Sequence, residues 1–407
     1  MRSWRIPYPK FGAGRGLERV SAVAGALGIN LAQFGERGAA IVGSNGKGST
    51  AAMTAALLGQ TGDTVGLFTS PHLLDLNERF RIDGDDIADA ELADHWDRVV
   101  AAVERAGQSQ TMGGFEFLFL IAADWFAARG CANTVWEAGI GGRLDPARLI
   151  RAKRVALTSL DLEHTELLGP TLEDIARDKI EAAPKGATLF VSASCTVQRA
   201  AIKAHCVARD VTCAFVGADA IGDALVPLTG AFQRENAALA VALARDVSPL
   251  SDEQVQAGMA ATRWPGRLEV IEQDPLVVID VGHTPAGVRS ALAGFQTMRG
   301  PQQAVLVCGA SQDKDCASIV GALAPGFETI ICAAARQKGA QAAEIAVLAA
   351  RANPSAEISV ADNVGEARRL ALAKAGNGAV YVAGGLFLAA EFKAAHLGRD
   401  PDALAFF

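Results

Sequence analysis

The stretch Gly43-Ser44-Asn45-Gly46-Lys47-Gly48-Ser49-Thr50 constrains this chain more than any other. It follows the apolar run Ala39-Ala40-Ile41-Val42 and precedes an alanine- and leucine-rich segment, residues 51–58. The run reads as a buried strand and the segment as a helix. Strand, glycine turn, lysine, hydroxyl and helix, in that order, form a phosphate cradle. Glycine lets the backbone curl until successive N–H groups face one oxyanion. Lys47 would add a point charge for the phosphates, and Ser49 or Thr50 a hydroxyl for Mg²⁺. The spacing departs from the usual G-x-x-x-x-G-K-[ST], because Gly48 separates the lysine from the hydroxyl. A glycine-rich turn with no ligand is the alternative reading.

The same alternation recurs along the chain. Apolar runs at 39–42, 64–67, 133–137, 154–159 and 188–191 are separated by helical patterns such as 88–105, 115–128, 172–181 and 236–245. After 264–267 the pattern restarts at 276–280, 304–308, 329–332, 357–360 and 379–382. Strands alternating with helices predict parallel sheets covered on both faces. At 407 residues the chain is too long for one ordinary core, and the pause divides it into residues 1–268 and 269–407. A net charge of −7 excludes nucleic acid as the main partner, though not a nucleotide held by amides and a metal. The most apolar window, 115–128, carries Glu116 and Asp124 and is too short to span a bilayer. No signal-type apolar core opens the chain. Seven cysteines show no C-x-x-C pair, as expected of reduced core residues in a cytoplasmic protein.

In α/β sheets ligands sit beyond the C-terminal ends of strands. Ser70 and His72 follow one such run, Glu137 closes another, and Asp161, Glu163 and His164 follow a third. Ser70, Glu137 and His164 could converge on one Mg²⁺ near Lys47, since hard oxygens with one imidazole suit that ion. Taken singly, each reads more readily as a solvated loop residue or, for the histidine, a satisfied surface or core group. Lys179 reads by itself as a solvated helix lysine paired with Glu173 or Asp178. Gln233 and Asn236 open a helix, where amides either read an adenine edge or cap the helix. Asp280 and His283 end the first strand of the second half, and Asp313-Lys314-Asp315 reads as a turn.

Together these pieces resemble the dihydrofolate synthase/folylpolyglutamate synthase branch of the Mur ligases. The resemblance rests on the loop at 43–49, on Thr69-Ser70-Pro71-His72-Leu73 and on Asn77-Glu78-Arg79-Phe80-Arg81-Ile82-Asp83-Gly84. It continues through Gly114-Phe115-Glu116-Phe117, Glu137-Ala138-Gly139-Ile140-Gly141-Gly142-Arg143-Leu144-Asp145, Leu162-Glu163-His164-Thr165 and Ile175-Ala176-Arg177-Asp178-Lys179. Trp264-Pro265-Gly266-Arg267-Leu268-Glu269, Asp280-Val281-Gly282-His283 and Asp313-Lys314-Asp315 complete the order.

The resemblance implies a Mur-ligase-like α/β fold: a large P-loop-type parallel-sheet ATPase domain plus a smaller Rossmann-like C-terminal domain. It implies an ATP-dependent amide ligase that activates a carboxylate as an acyl phosphate and then accepts an amine. By resemblance, Ser44, Asn45, Gly46, Lys47, Gly48, Ser49, Thr50, Asn236, Arg267, Asp280 and His283 hold ATP. Ser70, Glu137 and His164 hold Mg²⁺, and a carbamylated Lys179 holds a second ion. Arg79, Phe115, Glu116, Arg143 and Asp145 face the acceptor. Its partners would be small molecules, a carboxylate acceptor and an amino acid; it would be a monomer that binds neither nucleic acid nor membrane.

Departures fall near the acceptor and amino-acid pockets. Pro146-Ala147-Arg148 follows Asp145, Ile180-Glu181 follows Lys179, Phe232 precedes Gln233, Thr284 stands where the family has asparagine, and Gly384-Gly385 replaces a Gly-Ser pair. A folate enzyme that adds L-glutamate, a paralogue joining another carboxylate and amine, and a non-catalytic ATP-binding regulator all remain open.

Overall fold

The computed structural model describes residues 4–14 and 16–406. Two sheets organise them. The first contains β1 (Gly38–Val42), β2 (Val65–Phe68), β3 (Phe80–Ile82), β4 (Asp85–Asp86), β5 (Asn133–Glu137), β6 (Arg154–Leu157), β7 (Thr188–Ser192) and β8 (Thr212–Val216). Their order across the sheet is β4-β3-β2-β5-β1-β6-β7-β8. All pairings are parallel except those of the β3–β4 hairpin at one edge. The second sheet contains β9 (Glu269–Gln273), β10 (Leu276–Ile279), β11 (Ala304–Cys308), β12 (Thr329–Cys332), β13 (Glu357–Val360) and β14 (Ala379–Ala383). Its order is β13-β12-β11-β14-β10-β9, parallel apart from β9.

Central strands are apolar throughout because helices cover both faces. Along β1, Ala40 and Val42 pack into one core, whereas Ala39 and Ile41 pack into the other. The first core takes the helices Gly16–Leu27, Asp89–Arg105 and Gly114–Ala128; the second takes Lys47–Leu58 and Ala231–Val247. The second sheet repeats this, with Tyr381 on one face of β14 and Val380 and Val382 on the other. No helix among the described residues is long and apolar enough to cross a membrane.

Two features position the site. β5 lies beside β1 with Glu137 level with Ile41, so the Glu137 carboxylate emerges next to the phosphate-type loop. The loop after β2, residues 69–75, is driven into the second half: Leu73 is 4% exposed and packs with Val277, Ile279 and Val281.

Candidate active site

β1 hands the chain to the turn 43–46, and the helix Lys47–Leu58 begins there. Gly43 (φ 146°) and Gly46 (φ 84°) adopt left-handed backbone that only glycine takes without strain. A side chain at either would also collide, with Thr158 Oγ1 at 1.9 Å or Asn236 Oδ1 at 2.4 Å. The end of β6 braces the turn. Thr158 Oγ1 and Ser159 Oγ donate to the Asn45 carbonyl at 2.6 and 3.0 Å, and Asn45 N donates to Ser159 Oγ at 2.8 Å. Asp161 N donates to Ser44 Oγ at 3.0 Å. Lys47 Nζ folds back over the turn and donates to the Gly43 and Ser44 carbonyls at 2.9 and 3.3 Å. Gly48, the residue that breaks the usual spacing, lies under Trp264: a Cβ there would stand 2.2 Å from Cζ2 of the indole.

Lys47 is the electrostatic centre of the site. Its charge acts on Glu137, Asp145, Glu163, His164, Lys179 and His283, which come from five separate segments and both halves of the chain. Burial pushes the Glu137 carboxyl up to about 7, against the pull of Lys47, the Ser70 N–H, Arg267 and Arg79. Ser70 N donates to Glu137 Oε2 at 3.0 Å. Glu163 goes the other way: burial raises it, but Lys47 and Lys179 outweigh burial and hold it at about 2.

Lys179 is 1% exposed, so it is no solvated helix lysine. Its Nζ donates to Glu163 Oε1 at 2.8 Å and to the Gly43 carbonyl at 3.0 Å. Burial and then Lys47 lower its pKa, with Glu163 opposing. Glu173 pairs instead with Arg177, and Asp178 with Arg143. His164 is exposed on a left-handed residue (φ 46°). Partial desolvation by the surrounding protein, opposed by Glu163, still lowers its pKa. Among the described residues no three His, Cys, Asp or Glu side chains group closely enough to hold a metal by themselves.

Residues 266–386 match the family model for the Mur ligase glutamate ligase domain. A probable bifunctional folylpolyglutamate synthase/dihydropteroate synthase of Halobacterium salinarum is 34% identical over 94% of this chain and 49% of its own length. The chain thus spans about half the length of that relative. The folylpolyglutamate synthase of Lacticaseibacillus casei is 33% identical over 71% of this chain and 74% of its own. This chain belongs to the folylpolyglutamate synthase family. The Mycobacterium tuberculosis folylpolyglutamate synthase complexed with ADP superposes with a TM-score of 0.87 at 26% identity, covering 96% of each chain. A bifunctional folylpolyglutamate synthase/dihydrofolate synthase with Mn, AMPPNP and L-glutamate bound superposes with a TM-score of 0.81 at 27% identity, covering 95% of each. The two-sheet Mur-ligase-like architecture follows from these likenesses.

Within this synthase-family fold, the second half brings its own residues to the Lys47 region. Asp280 is 2% exposed, and its oxygens accept from Gly282 N at 2.7 Å and Leu268 N at 3.1 Å. It therefore pins the 263–268 connector to the end of β10. Burial, then the neighbouring Arg267, Lys314 and Lys47 charges, bring the His283 imidazole down to about 4. Thr284 caps the helix Pro285–Arg299 by accepting from Gly287 N at 3.1 Å, a task asparagine performs equally well.

Several residues expected to face a ligand are occupied by the protein instead. Asn236 is 5% exposed and donates to Gln233 Oε1 at 2.9 Å, while Gln233 donates to Ser49 Oγ at 3.3 Å. Gln233 lies in the first turn of the helix Ala231–Val247 and Asn236 in the second, and the N-cap is Gly230 with no side-chain cap bond. Thr50 is fully buried and its Oγ1 has no hydrogen-bond partner among the described residues. Asp145 accepts from Gly139, Ile140 and Ala147 N at 2.8, 3.2 and 2.9 Å, which shapes the 139–142 glycine loop. Glu116 pairs with Arg19 through two 2.8 Å contacts and accepts from Gly113 N. Arg79 is 1% exposed and contacts His72 and Ser70. Phe115 packs on Gly139 and Phe68. Arg143 remains half-exposed beside Asp178. Arg148 and Glu181 pair with each other at 3.4 Å, and Glu181 also meets Arg209 at 2.7 Å.

The sequence places Glu163 among the strand-end candidates without giving it a role, and it gives none to Trp264 or to the Thr158–Ser159 brace.

Proposed function

We propose that this chain is an ATP- and Mg²⁺-dependent ligase that adds L-glutamate to dihydropteroate or a folate through an acyl phosphate. The observation that carries the reading is the meeting of Lys47 and Lys179 on the Gly43 carbonyl, with Glu163 on Lys179 and with Glu137, Asp145, His164 and His283 from both halves within reach of the Lys47 charge. The names of the relatives, and the nucleotide, metal and glutamate bound by the solved neighbours, support it.

The donor set suits Mg²⁺. Glu137 accepts from Ser70 N through one oxygen, and a cation beside it would bring its raised pKa down and keep it ionised. Ser70 and His164 would complete the protein's share, with water and phosphate oxygens filling the rest. When bound, the ion neutralises charge on the phosphates. The loop amides and Lys47 orient the γ-phosphate. The acceptor carboxylate attacks it, the bond to ADP breaks, and the glutamate amine then displaces phosphate at the acyl carbon. Closure of the second half over Lys47 keeps water from the acyl phosphate. Lys179, buried and lowered in pKa, is suited to carbamylation: its neutral amine adds CO₂ and loses a proton, giving a carboxylate for a second ion.

In this reading residues 1–268 form the nucleotide and acceptor domain and residues 269–407 the amino-acid domain. The protein acts as a cytoplasmic monomer, and its seven free thiols fit a reducing compartment. The mutual pairing of Arg148 and Glu181 removes the main reason to favour a different substrate pair.

The test is ADP release from ATP with dihydropteroate, L-glutamate, Mg²⁺ and bicarbonate. Turnover should need all of these except bicarbonate, which should stimulate it. Lys47→Ala and Glu137→Ala should each lose about a hundredfold or more, and Lys179→Ala should lose the bicarbonate response. No ADP with any pterin acceptor would rule out the folate reading.

A further inference from the structure

The loop carrying Ser70 is held by the far end of the chain. Arg79 Nη1 donates to Ser70 Oγ at 3.0 Å, and Arg79 Nε donates to His72 Nδ1 at 2.8 Å. That acceptor role leaves the proton of His72 on Nε2, which donates to the Ala405 carbonyl at 2.9 Å. The His72 ring stacks on Phe406, with centroids 5.3 Å apart and planes 9° from parallel. Phe406 in turn meets Phe387, edge-on at 4.9 Å, on the helix Leu386–His396. His72 and Arg79 are 3% and 1% exposed, so this line of contacts runs through the interior. Nearby, Arg399 grips Asp75 with two hydrogen bonds of 2.7 and 2.8 Å, and the Leu404 carbonyl accepts from Arg336.

We propose that segment 404–406 is a latch that orients Ser70 toward Glu137, with His72 and Arg79 as the positioning residues that transmit it. The physical reason is the continuity of the line. Ser70 has its N–H on Glu137 and its hydroxyl oxygen on Arg79, so the direction of its free O–H depends on where Arg79 sits. Arg79 is fixed in turn by an imidazole whose ring is clamped between two halves of the molecule. The second half thereby reaches the metal side of the first without touching a ligand. The role of Ser70 as a metal oxygen rests on the proposed function; the mechanical link does not.

Two measurements test it on the full chain. Hydrogen exchange of residues 70–75, with no nucleotide or metal present, should speed up in Phe406→Ala and return toward normal in Phe406→Tyr, which keeps the aromatic face. Mn²⁺ affinity in the presence of a non-hydrolysable ATP analogue, read by electron paramagnetic resonance, should fall about tenfold in Phe406→Ala and in His72→Asn. His72→Asn retains an acceptor for Arg79 but loses the reach to Ala405. Arg399→Ala, which cuts a different tie from the second half to the 69–75 loop, away from His72, should leave Mn²⁺ affinity within about twofold. Unchanged exchange and affinity in Phe406→Ala would overturn the latch and leave the ligase intact. An equal loss in Arg399→Ala would overturn it too, by showing that any loosening of the 69–75 loop suffices. Absence of ligase turnover in the parent protein would sink the ligase reading alone, since neither measurement needs acceptor or glutamate.

Discussion

At the scale of single residues, burial decides the chemistry. Glu137 lies in the interior and its carboxyl is pushed up to about 7, whereas Glu163, nearly as buried, is held at about 2 by two lysines. A carboxyl whose folded pKa exceeds its unfolded value keeps a proton that the unfolded chain has released. Metal-free protein should therefore lose stability as pH rises from about 4.5 through about 7, and Asp145, pushed up to about 6, and Asp280, also raised, act in the same direction. Glu137→Gln should lessen that fall by about 2 kcal/mol between about pH 5 and pH 7, measured by urea unfolding with chelator present. A parallel loss in parent and variant would show that Glu137 is not the group. Lys47 and Glu137 were legible in the sequence because each ends or follows an apolar run. The spending of Asp145 and Glu116 on backbone amides and on Arg19 was not, since a carboxylate gives no sequence sign of whether it faces a cleft or an N–H.

Elements show the same division. The central parallel strands stand out as uninterrupted apolar runs, because both of their faces are covered. β4, β8 and β9, each at an edge of its sheet, escaped sequence reading for the converse reason. β8 is buried only at Val216, and β9 is nowhere fully buried, so neither shows a run or a clean alternation. The glycine that spoils the usual phosphate-loop spacing has its explanation at this scale. Gly48 is in the first turn of the helix Lys47–Leu58, and the Trp264 ring from the connector rests on it. Gly48→Ala should cost about 1–3 kcal/mol, because a rigid indole has to move. Most of that cost should disappear when Trp264→Ala is also present, a coupling of about 1 kcal/mol or more in a double-mutant cycle of unfolding free energies. Additive effects would show that the two residues do not press on each other.

For the whole molecule, the question is what makes two sheets behave as one unit. Loop 69–75 is one answer: it belongs to the first sheet by sequence, yet Leu73 completes a core of the second. Nothing in the sequence announces this, since the leucine follows a proline-containing turn and its partners lie some two hundred residues away. Leu73→Ala should cost about 2–4 kcal/mol and split a single calorimetric unfolding transition into two. A variant that still melts in one step at the parent temperature would show that the loop merely rests on its neighbour. The molecule also has an outer margin to protect. β4 closes one side of the larger sheet with two exposed aspartates, one of them tied to Arg81. Open margins of sheets recruit other chains unless something repels them. A peptide approaching that rim would have to desolvate these carboxylates before it reached a free amide, which disfavours fibril growth from that side.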